Sequence, residues 1–132
     1  MARTAPAGAA DIRAELGLTQ REFAQLLGVS IRAVHSYEQR WRTPSPSVQR
    51  MLLLLQITHR RGASLRKLVC WKEKKCALDC RKQCIAYRSR QGHLCWFLTG
   101  TFCSGKPAKT WAEKWRQCSR CSFMKKLLRR AR

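Results

Sequence analysis

Eight cysteines offer the most distinctive chemistry in this chain of 132 residues, and all of them lie between Cys70 and Cys121. Cys118 and Cys121 form a Cys-x-x-Cys pair, a spacing that lets two thiolates converge on one metal ion from a tight turn. In a reducing compartment, a cluster of this density indicates metal or redox chemistry rather than structural disulfides. We therefore expect the thiolates of this segment to bind a metal or to form a redox couple.

The other cysteines follow no zinc-finger pattern, because no second Cys-x-x-Cys and no His pair is present. Cys76, Cys80 and Cys84 are four residues apart and would form one stripe on a helix. His93, two residues before Cys95, is either an additional ligand or a surface histidine.

The chain is strongly basic, with 28 Lys and Arg residues against 7 acidic residues and a formal net charge of +21. Residues 61–132 carry +17 of that charge, and residues 1–60 carry +4. Such a field attracts polyanions, so nucleic acid is the expected partner. The sequence contains no nucleophile–base pair and no phosphate-cradling glycine loop, and we predict that the protein is not an enzyme.

The cysteine-free half contains signals for two helices joined by a very short turn. Thr19 and Glu22 have the spacing of a capping box, Gly28 suits a helix end, and Ser30 can cap a second helix. Apolar residues at helical spacing then face the two helices toward each other. This arrangement predicts a helix-turn-helix motif.

Residues 16–52, LGLTQREFAQLLGVSIRAVHSYEQRWRTPSPSVQRML, resemble the lambda-repressor/Cro-type (XRE-like) helix-turn-helix family. The resemblance implies a recognition helix over residues 31–39 in the DNA major groove, double-stranded DNA as partner, and a homodimer on half-sites about 34 Å apart. The DNA-contacting residues that it implies are Gln20, Ser30, Ile31, Arg32, Ala33, His35, Ser36, Arg40, Arg42 and Thr43. The positions expected to be exposed on the recognition helix are Ile31, Arg32, Ala33 and Ser36. Arg40 stands where this family usually has glycine.

Two Cys-Trp pairs, Cys70-Trp71 and Cys95-Trp96, together with the spacing of the other cysteines, resemble the two-CW domain, a small bacterial cysteine-rich module. The resemblance does not fix a ligand. Thiolate chemistry favours zinc, with an iron–sulfur cluster as the alternative and a metal-free dithiol/disulfide switch as a third possibility. The candidate metal ligands are first Cys95, Cys103, Cys118 and Cys121, then Cys70, Cys76 and Cys84, and last Cys80, which is extra to the two-CW pattern.

These features predict five segments: a flexible lead (1–8), a helix-turn-helix domain (9–60), a basic linker (61–67), a two-CW-like domain (68–123) and a basic tail (124–132). The expected fold class is mainly α, a helix-turn-helix bundle of four to five helices plus a small irregular, helix-containing, metal-stabilised Cys-rich domain. The start of the chain lacks the apolar core of a signal peptide, and the longest apolar run, residues 51–57, is too short to span a membrane. We therefore expect a cytoplasmic protein.

The expected function is a sequence-specific DNA-binding transcriptional regulator with a C-terminal metal-binding or redox-sensing module. One alternative is a metal-stabilised protein-interaction module in an antitoxin-like or phage accessory role. The other is a non-specific basic nucleic-acid binder.

Overall fold

The computed structural model describes residues 8–103 and 105–129. Nearly all of the predicted flexible lead and the last three residues of the predicted basic tail therefore lie outside the described residues. The described chain is helical and contains no β-strand, which confirms the expected mainly-α fold class. Its α-helices are α1 (Ala9–Leu16), α2 (Gln20–Leu27), α3 (Ile31–Glu38), α4 (Pro46–Arg61), α5 (Cys70–Glu73), α6 (Leu78–Gln83), α7 (Ile85–Arg88), α8 (Trp111–Cys118) and α9 (Ser122–Leu128).

Two 3₁₀ helices, Gly62–Lys67 and Gly92–Phe97, complete the regular structure of the described residues. The chain divides into two compact units, one that ends at His59 and one that begins at Arg60. No described helix is long and apolar enough to cross a membrane.

Local capping signals place the ends of α2 and α3 where the sequence predicts them. The Thr19 side chain accepts from the Glu22 amide and the Glu22 carboxylate accepts from the Thr19 amide, so that the capping box is formed. Gly28 ends α2 with a φ of 72°, a left-handed conformation that glycine adopts without steric cost. The Ser30 hydroxyl accepts from the Ala33 amide at 3.0 Å and starts α3. Only residues 28–30 thus separate the two helices, as the helix-turn-helix prediction requires.

The core of the first unit lies between α1, α2, α3 and the first part of α4. Ile12, Phe23 and Val34 are fully buried, and Tyr37 and Leu52 pack with them. Burial of these apolar side chains is the main source of stability for helices of only eight residues. The core therefore fixes the orientation of α3 about its own axis.

A polar contact between α1 and α3 adds to this packing. Arg13 donates from Nε to Glu38 Oε2 at 2.6 Å and from a second guanidinium nitrogen to Glu38 Oε1 at 3.0 Å. Gln20 Nε2, at the start of α2, donates to the same Oε1 at 3.2 Å. The Glu38 side chain is only 6% exposed, so this ion pair is largely shielded from solvent. One carboxylate therefore ties the first three helices together.

The second unit consists of short helices around a small core. Trp96, Phe123 and Leu127 are buried, and the Trp71 ring packs edge-on against Tyr87 with ring centroids 4.9 Å apart. Gly92 is indispensable to this packing, because a Cβ there would lie 2.9 Å from the Trp71 ring. The two Cys-Trp pairs, distant in sequence, are thus brought together through α5 and the 3₁₀ helix Gly92–Phe97.

Two stretches have more regular structure than their sequence predictions gave them. The segment predicted as a basic linker is a helical continuation in which α4 reaches Arg61 and the 3₁₀ helix Gly62–Lys67 buries Leu65. The segment predicted as a basic tail contributes most of α9, whose apolar face is buried at Met124 and Leu127. In both stretches, apolar residues between the basic ones supply a face that packs.

The expectation that Cys76, Cys80 and Cys84 form a stripe on one helix is wrong. Only Cys80 lies within α6, because the extended backbone at Ala77 and at Cys84 ends that helix on both sides. Cys84 instead precedes α7, which begins at Ile85.

Candidate functional site

The outer face of α3 is the first candidate site. Arg32 and His35 are exposed, Ile31 is 47% exposed, and Ser36 is half-buried. The prediction that Ala33 is exposed is wrong: its side chain is 6% exposed and packs in the core with Val34 and Tyr37. Positions 33, 34 and 37 of a helix lie on one side, so Ala33 shares the inner face. Its side chain is therefore not available for the predicted contact with DNA.

Two of the predicted DNA-contacting residues, Gln20 and Ser30, lie at the N-terminal ends of α2 and α3. Ser30 is exposed, with its hydroxyl engaged in the cap of α3. Gln20 is half-buried, and its amide nitrogen donates to Glu38. The first amides of a helix attract anions, because they lack intrahelical acceptors and lie at the positive end of the helix dipole.

The segment that follows α3 is exposed and basic. Arg40, Arg42 and Thr43 are all exposed. Arg40 has a φ of 61°, so it occupies the left-handed position where the resemblance implies a glycine. The Arg42 guanidinium lies over the Tyr37 ring, 5.0 Å from its centroid, and donates to the Tyr37 hydroxyl at 3.0 Å. Tyr37 thus holds one of the predicted contacts in place.

Trp41 belongs to the same exposed segment, and the sequence prediction did not include it. Its side chain is 73% exposed, and its ring meets the His35 ring edge-on at a centroid distance of 5.3 Å. An aromatic side chain between two arginines is the signal that identifies such a position in the sequence.

The four described helices of the first unit, with a capped third helix presented outward, correspond to a known family. Residues 10–60 match the helix-turn-helix family model. That family consists of DNA-binding regulators and is not generally enzymatic, and the match supports DNA binding by residues 10–60. No curated protein and no solved structure matches the chain.

The family match stops at residue 60 and does not extend into the cysteine-rich unit. No family model that matches this chain covers the residues after the helix-turn-helix domain, so the two-CW resemblance stays a prediction. The ligand-binding chemistry of that unit is therefore inferred from the positions of its own cysteine and lysine side chains.

The second candidate site is a pair of cavities in the cysteine-rich unit. One, of about 230 Å³, is lined by five cysteines, and the other, of about 160 Å³, is lined by four. Cys103 lines both cavities, and together the two linings include every cysteine of the chain. The larger cavity is lined by Cys70, Cys76, Cys80, Cys84 and Cys103. The smaller cavity is lined by Cys95, Cys103, Cys118 and Cys121, the four first-ranked ligands of the sequence prediction.

Cys118 and Cys121 approach each other through a tight turn, as their spacing predicts. Cys118 ends α8, Cys121 precedes α9, and the Cys121 amide donates to the Cys118 carbonyl at 3.0 Å. His93 lines neither cavity, and its carbonyl oxygen accepts from the Trp96 ring nitrogen at 3.3 Å. The structure therefore does not bring His93 to the thiols as an additional ligand.

Lys114 is the residue that sequence analysis missed at this site. Its side chain is fully buried, lines the smaller cavity and donates to the hydroxyl of Thr101, which is itself 2% exposed. Cys103 Sγ lies 3.6 Å from the same Thr101 oxygen. A buried lysine is rare, because transfer of an ammonium group out of water is costly unless an anion is nearby.

Burial and hydrogen bonding set the protonation of the thiols. Burial raises the pKa of Cys118 to about 11 and also raises the pKa of Cys76. The Cys95 thiol donates to the Cys70 sulfur, which lowers the pKa of Cys70 and, with burial, raises the pKa of Cys95. The positive charge of Lys114 acts against these increases at Cys95 and Cys118. Without a bound cation, most of these thiols therefore stay protonated at neutral pH.

The donor set fits a thiophilic metal in kind and in number. Within residues 8–103 and 105–129, no three Cys, His, Asp or Glu side chains stand in the arrangement of a metal site. Four thiols nevertheless surround the smaller cavity together with a buried cation, and four thiolates are the ligand set of structural zinc and of iron–sulfur clusters. Metal binding requires the thiols to lose their protons and the sulfurs to move inward.

Proposed function

We propose that this protein is a sequence-specific DNA-binding transcriptional regulator. The observation that supports the proposal is the two-sidedness of α3: Val34 and Tyr37 anchor its inner face, and Ile31, Arg32 and His35 are exposed on its outer face. A helix held in this way can lie in the major groove, where its outer side chains reach the base edges.

Each exposed group has a role that its chemistry suggests. Arg32 can donate two parallel hydrogen bonds to a guanine, and Ile31 can contact a thymine methyl group. His35 and Ser36 can bond to neighbouring base edges or phosphates. Gln20 donates one N–H of its amide to Glu38, which leaves the second N–H for a phosphate.

The segment after α3 completes the proposed interface. Arg40, Arg42 and Thr43 extend a positive, hydrogen-bonding surface beyond the recognition helix, suited to the flanking phosphates. Contacts of this kind fix the register of a domain on the duplex, and the base contacts of α3 then select the sequence.

We propose that the regulator binds as a homodimer to a two-fold operator. A single recognition helix contacts only a few base pairs, and related motifs reach useful specificity by pairing on half-sites about 34 Å apart. The test is the stoichiometry of the complex on duplexes that carry one or two half-sites.

We also propose that the cysteine-rich unit binds a metal through thiolates, with zinc favoured over an iron–sulfur cluster. A bound metal would cross-link segments of a unit whose helices are too short to be stable alone. The proposal includes a coupling between metal state and DNA affinity. Equal operator affinity for metal-loaded and stripped, folded protein would refute that coupling.

The experiment that tests DNA recognition compares Arg32→Ala and Arg32→Lys with the wild-type protein. A selection from random duplexes first defines the preferred sequence. Binding to that duplex and to a scrambled one is then measured at two salt concentrations. We expect Arg32→Ala to lose about 1–3 kcal/mol of specific binding free energy.

Arg32→Lys is the matched control, because lysine retains the charge and loses the planar two-pronged donor. It should reduce discrimination nearly as much as alanine does and leave non-specific binding unchanged. Wild-type-like behaviour of Arg32→Lys, together with a steep salt dependence and no preference between duplexes, would favour the non-specific nucleic-acid binder. No binding to any duplex would favour the protein-interaction module.

A further inference from the structure

We infer that Cys95, Cys103, Cys118 and Cys121 form one tetrathiolate metal centre, and that the buried ammonium of Lys114 is its counter-charge. The inference rests on the metal-binding part of the proposed function and specifies it. It selects four thiols out of eight and assigns a role to a residue that is not a ligand.

The complete burial of Lys114 supports its assignment as a counter-charge. The residue has no exposed surface, although the chain has many exposed lysines that place their charge in water. Its hydrogen bond to Thr101 satisfies one of three ammonium protons and supplies no negative charge. A charge held in this way is stable only where an anion balances it. No described carboxylate lines the smaller cavity, so the thiols beside Lys114 are the groups there that can become negative.

The proposed centre would carry the negative charge that a buried ammonium requires. Four thiolates on one divalent ion carry two net negative charges, and four thiolates on an oxidised [4Fe–4S] core carry the same charge. Lys114 lines the same small cavity as the four thiols, and its charge opposes the rise in the pKa of Cys95 and Cys118. A centre built on these sulfurs is thus partly neutralised by a buried cation, although Cys103 itself is exposed.

The Thr101 hydroxyl connects Lys114 to one of the proposed ligands, Cys103. Its hydroxyl oxygen accepts from Lys114 and lies 3.6 Å from Cys103 Sγ. When Cys103 loses its proton on binding the metal, the hydroxyl can accept from the ammonium and donate to the thiolate at once. Hydrogen bonds of this kind to a ligand sulfur are the means by which a protein orients and tunes a metal centre.

Lys114 does not line the larger cavity, whose lining includes Cys70, Cys76, Cys80, Cys84 and Cys103 together with Lys74 and Arg81, although the charge of Lys114 also acts on Cys70. Burial does not separate the two groups of thiols, because Cys76 and Cys80 are half-buried while, in the smaller cavity, Cys121 is half-buried and Cys103 is exposed. Cys80 lies on a six-residue helix. This group of thiols therefore provides the matched comparison for the test.

The experiment uses the full chain, purified without oxygen, and measures zinc, iron and acid-labile sulfide per chain. Zn²⁺ affinity is then measured by competition with a chromophoric chelator, and Co²⁺ is substituted to record the ligand-field bands that report the number of sulfur ligands. Acid-labile sulfide distinguishes an iron–sulfur cluster from a single divalent ion. The variants are Lys114→Met, the exposed helical control Lys125→Met, the double variant Cys118→Ser/Cys121→Ser, and Cys80→Ser.

We expect Lys114→Met to retain the four-sulfur Co²⁺ spectrum and to bind Zn²⁺ at least about tenfold more weakly, the usual effect of removing a group that supports metal ligands. The stripped Lys114→Met protein should have a higher thermal midpoint than stripped wild type, because an uncompensated buried charge is gone. A fall in Zn²⁺ affinity together with a rise in the stability of the metal-free protein distinguishes a counter-charge from a lysine with a purely structural role, whose loss would lower both. Lys125→Met should change neither quantity.

The double variant Cys118→Ser/Cys121→Ser should lose one metal equivalent per chain and the four-sulfur Co²⁺ spectrum. The Cys80→Ser variant should retain the metal equivalent and the spectrum. Zn²⁺ affinity of Lys114→Met equal to wild type, or a parallel fall in affinity and metal-free stability, would overturn the role of Lys114 and leave the metal proposal standing. Full metal content in the double variant would overturn the choice of ligands. Wild-type protein that binds no metal would overturn the inference together with the metal part of the proposed function.

Discussion

Replacement of Arg13 by Met tests whether the ion pair with Glu38 holds the recognition helix in place. The pair has two charged hydrogen bonds, and Glu38 also accepts from Gln20. Each charged hydrogen bond contributes about 1.5–3 kcal/mol in partly buried sites. The Arg13 side chain is 27% exposed, so solvent screening reduces its share. Loss of Arg13 leaves a shielded carboxylate, and we expect the free energy of opening of α3 to fall by about 2 kcal/mol.

Amide hydrogen exchange is the suitable assay, because it reports the opening of α3 separately from the second unit. A loss of about 2 kcal/mol corresponds to roughly 30-fold faster exchange of the protected amides of Val34 and Tyr37. Arg21→Met is the control, since Arg21 is an exposed arginine on α2, and surface substitutions of this kind change stability by less than about 0.5 kcal/mol. Equal exchange rates in the two variants would refute the role assigned to Arg13.

The same pair predicts a pH dependence of known sign. The hydrogen bonds from Arg13 lower the pKa of Glu38 in the folded protein, despite the opposing effect of burial. A carboxylate with a lowered folded-state pKa stabilises the fold fully above its ordinary pKa, about 4.3, and the stabilisation disappears as the pH falls through the folded-state value. The ratio of exchange rates between Arg13→Met and wild type should therefore fall toward one as the pH drops below about 4.3 and through the folded-state pKa. A ratio that stays constant with pH would show that packing, not charge, is responsible.

Substitutions at three further positions test other local features. Arg40→Gly should stabilise the first unit by about 1 kcal/mol in urea denaturation, because Arg40 adopts a left-handed φ of 61° that glycine adopts freely; lower stability would contradict this reading. Gly92→Ala should destabilise the second unit by about 1–3 kcal/mol, since the added Cβ would lie 2.9 Å from the Trp71 ring, and an unchanged thermal midpoint would be inconsistent with that contact. Ser30→Ala should cost about 1 kcal/mol through loss of the bond from the Ala33 amide, and Ser30→Asp should restore stability while its negative charge weakens DNA binding.

The sequence was sufficient for the features that depend on neighbouring residues. A capping box joins residues three apart, and a glycine at a helix end acts through its own φ, so Thr19, Glu22, Gly28 and Ser30 could be assigned directly. The prediction of a helix-turn-helix bundle of four to five helices depends in part on those same signals, and the mainly-α fold class is confirmed.

Features that depend on tertiary packing could not be read in this way. Arg13 and Glu38 are 25 residues apart, and nothing local distinguishes them from solvated charges. The family resemblance implies an exposed Ala33, and the periodic signal of so small a side chain is too weak to contradict it. Its burial follows from the rotation of α3 that Val34 and Tyr37 impose.

The cysteine-rich unit shows the same limit more strongly. The ranking of its cysteines could use spacing alone, whereas the grouping around two cavities depends on how the seven short helical segments of its described residues meet. Lys114 stands in the sequence WAEKWRQC between charged residues, where a lysine is ordinarily solvated. Only the packing of α8 reveals that its ammonium is enclosed.

Trp41 gives this chain a built-in optical reporter. It is the only one of five tryptophans before residue 60, and its indole is 73% exposed beside the recognition helix, whereas Trp96 and Trp111 are buried. An indole in water fluoresces at longer wavelength than a buried one and is quenched more readily by acrylamide. Trp71 and Trp115 are half-buried, so Trp41 is the most exposed tryptophan and should contribute most to the red-edge emission. A duplex that covers it should shield that part of the emission from the quencher without any attached dye.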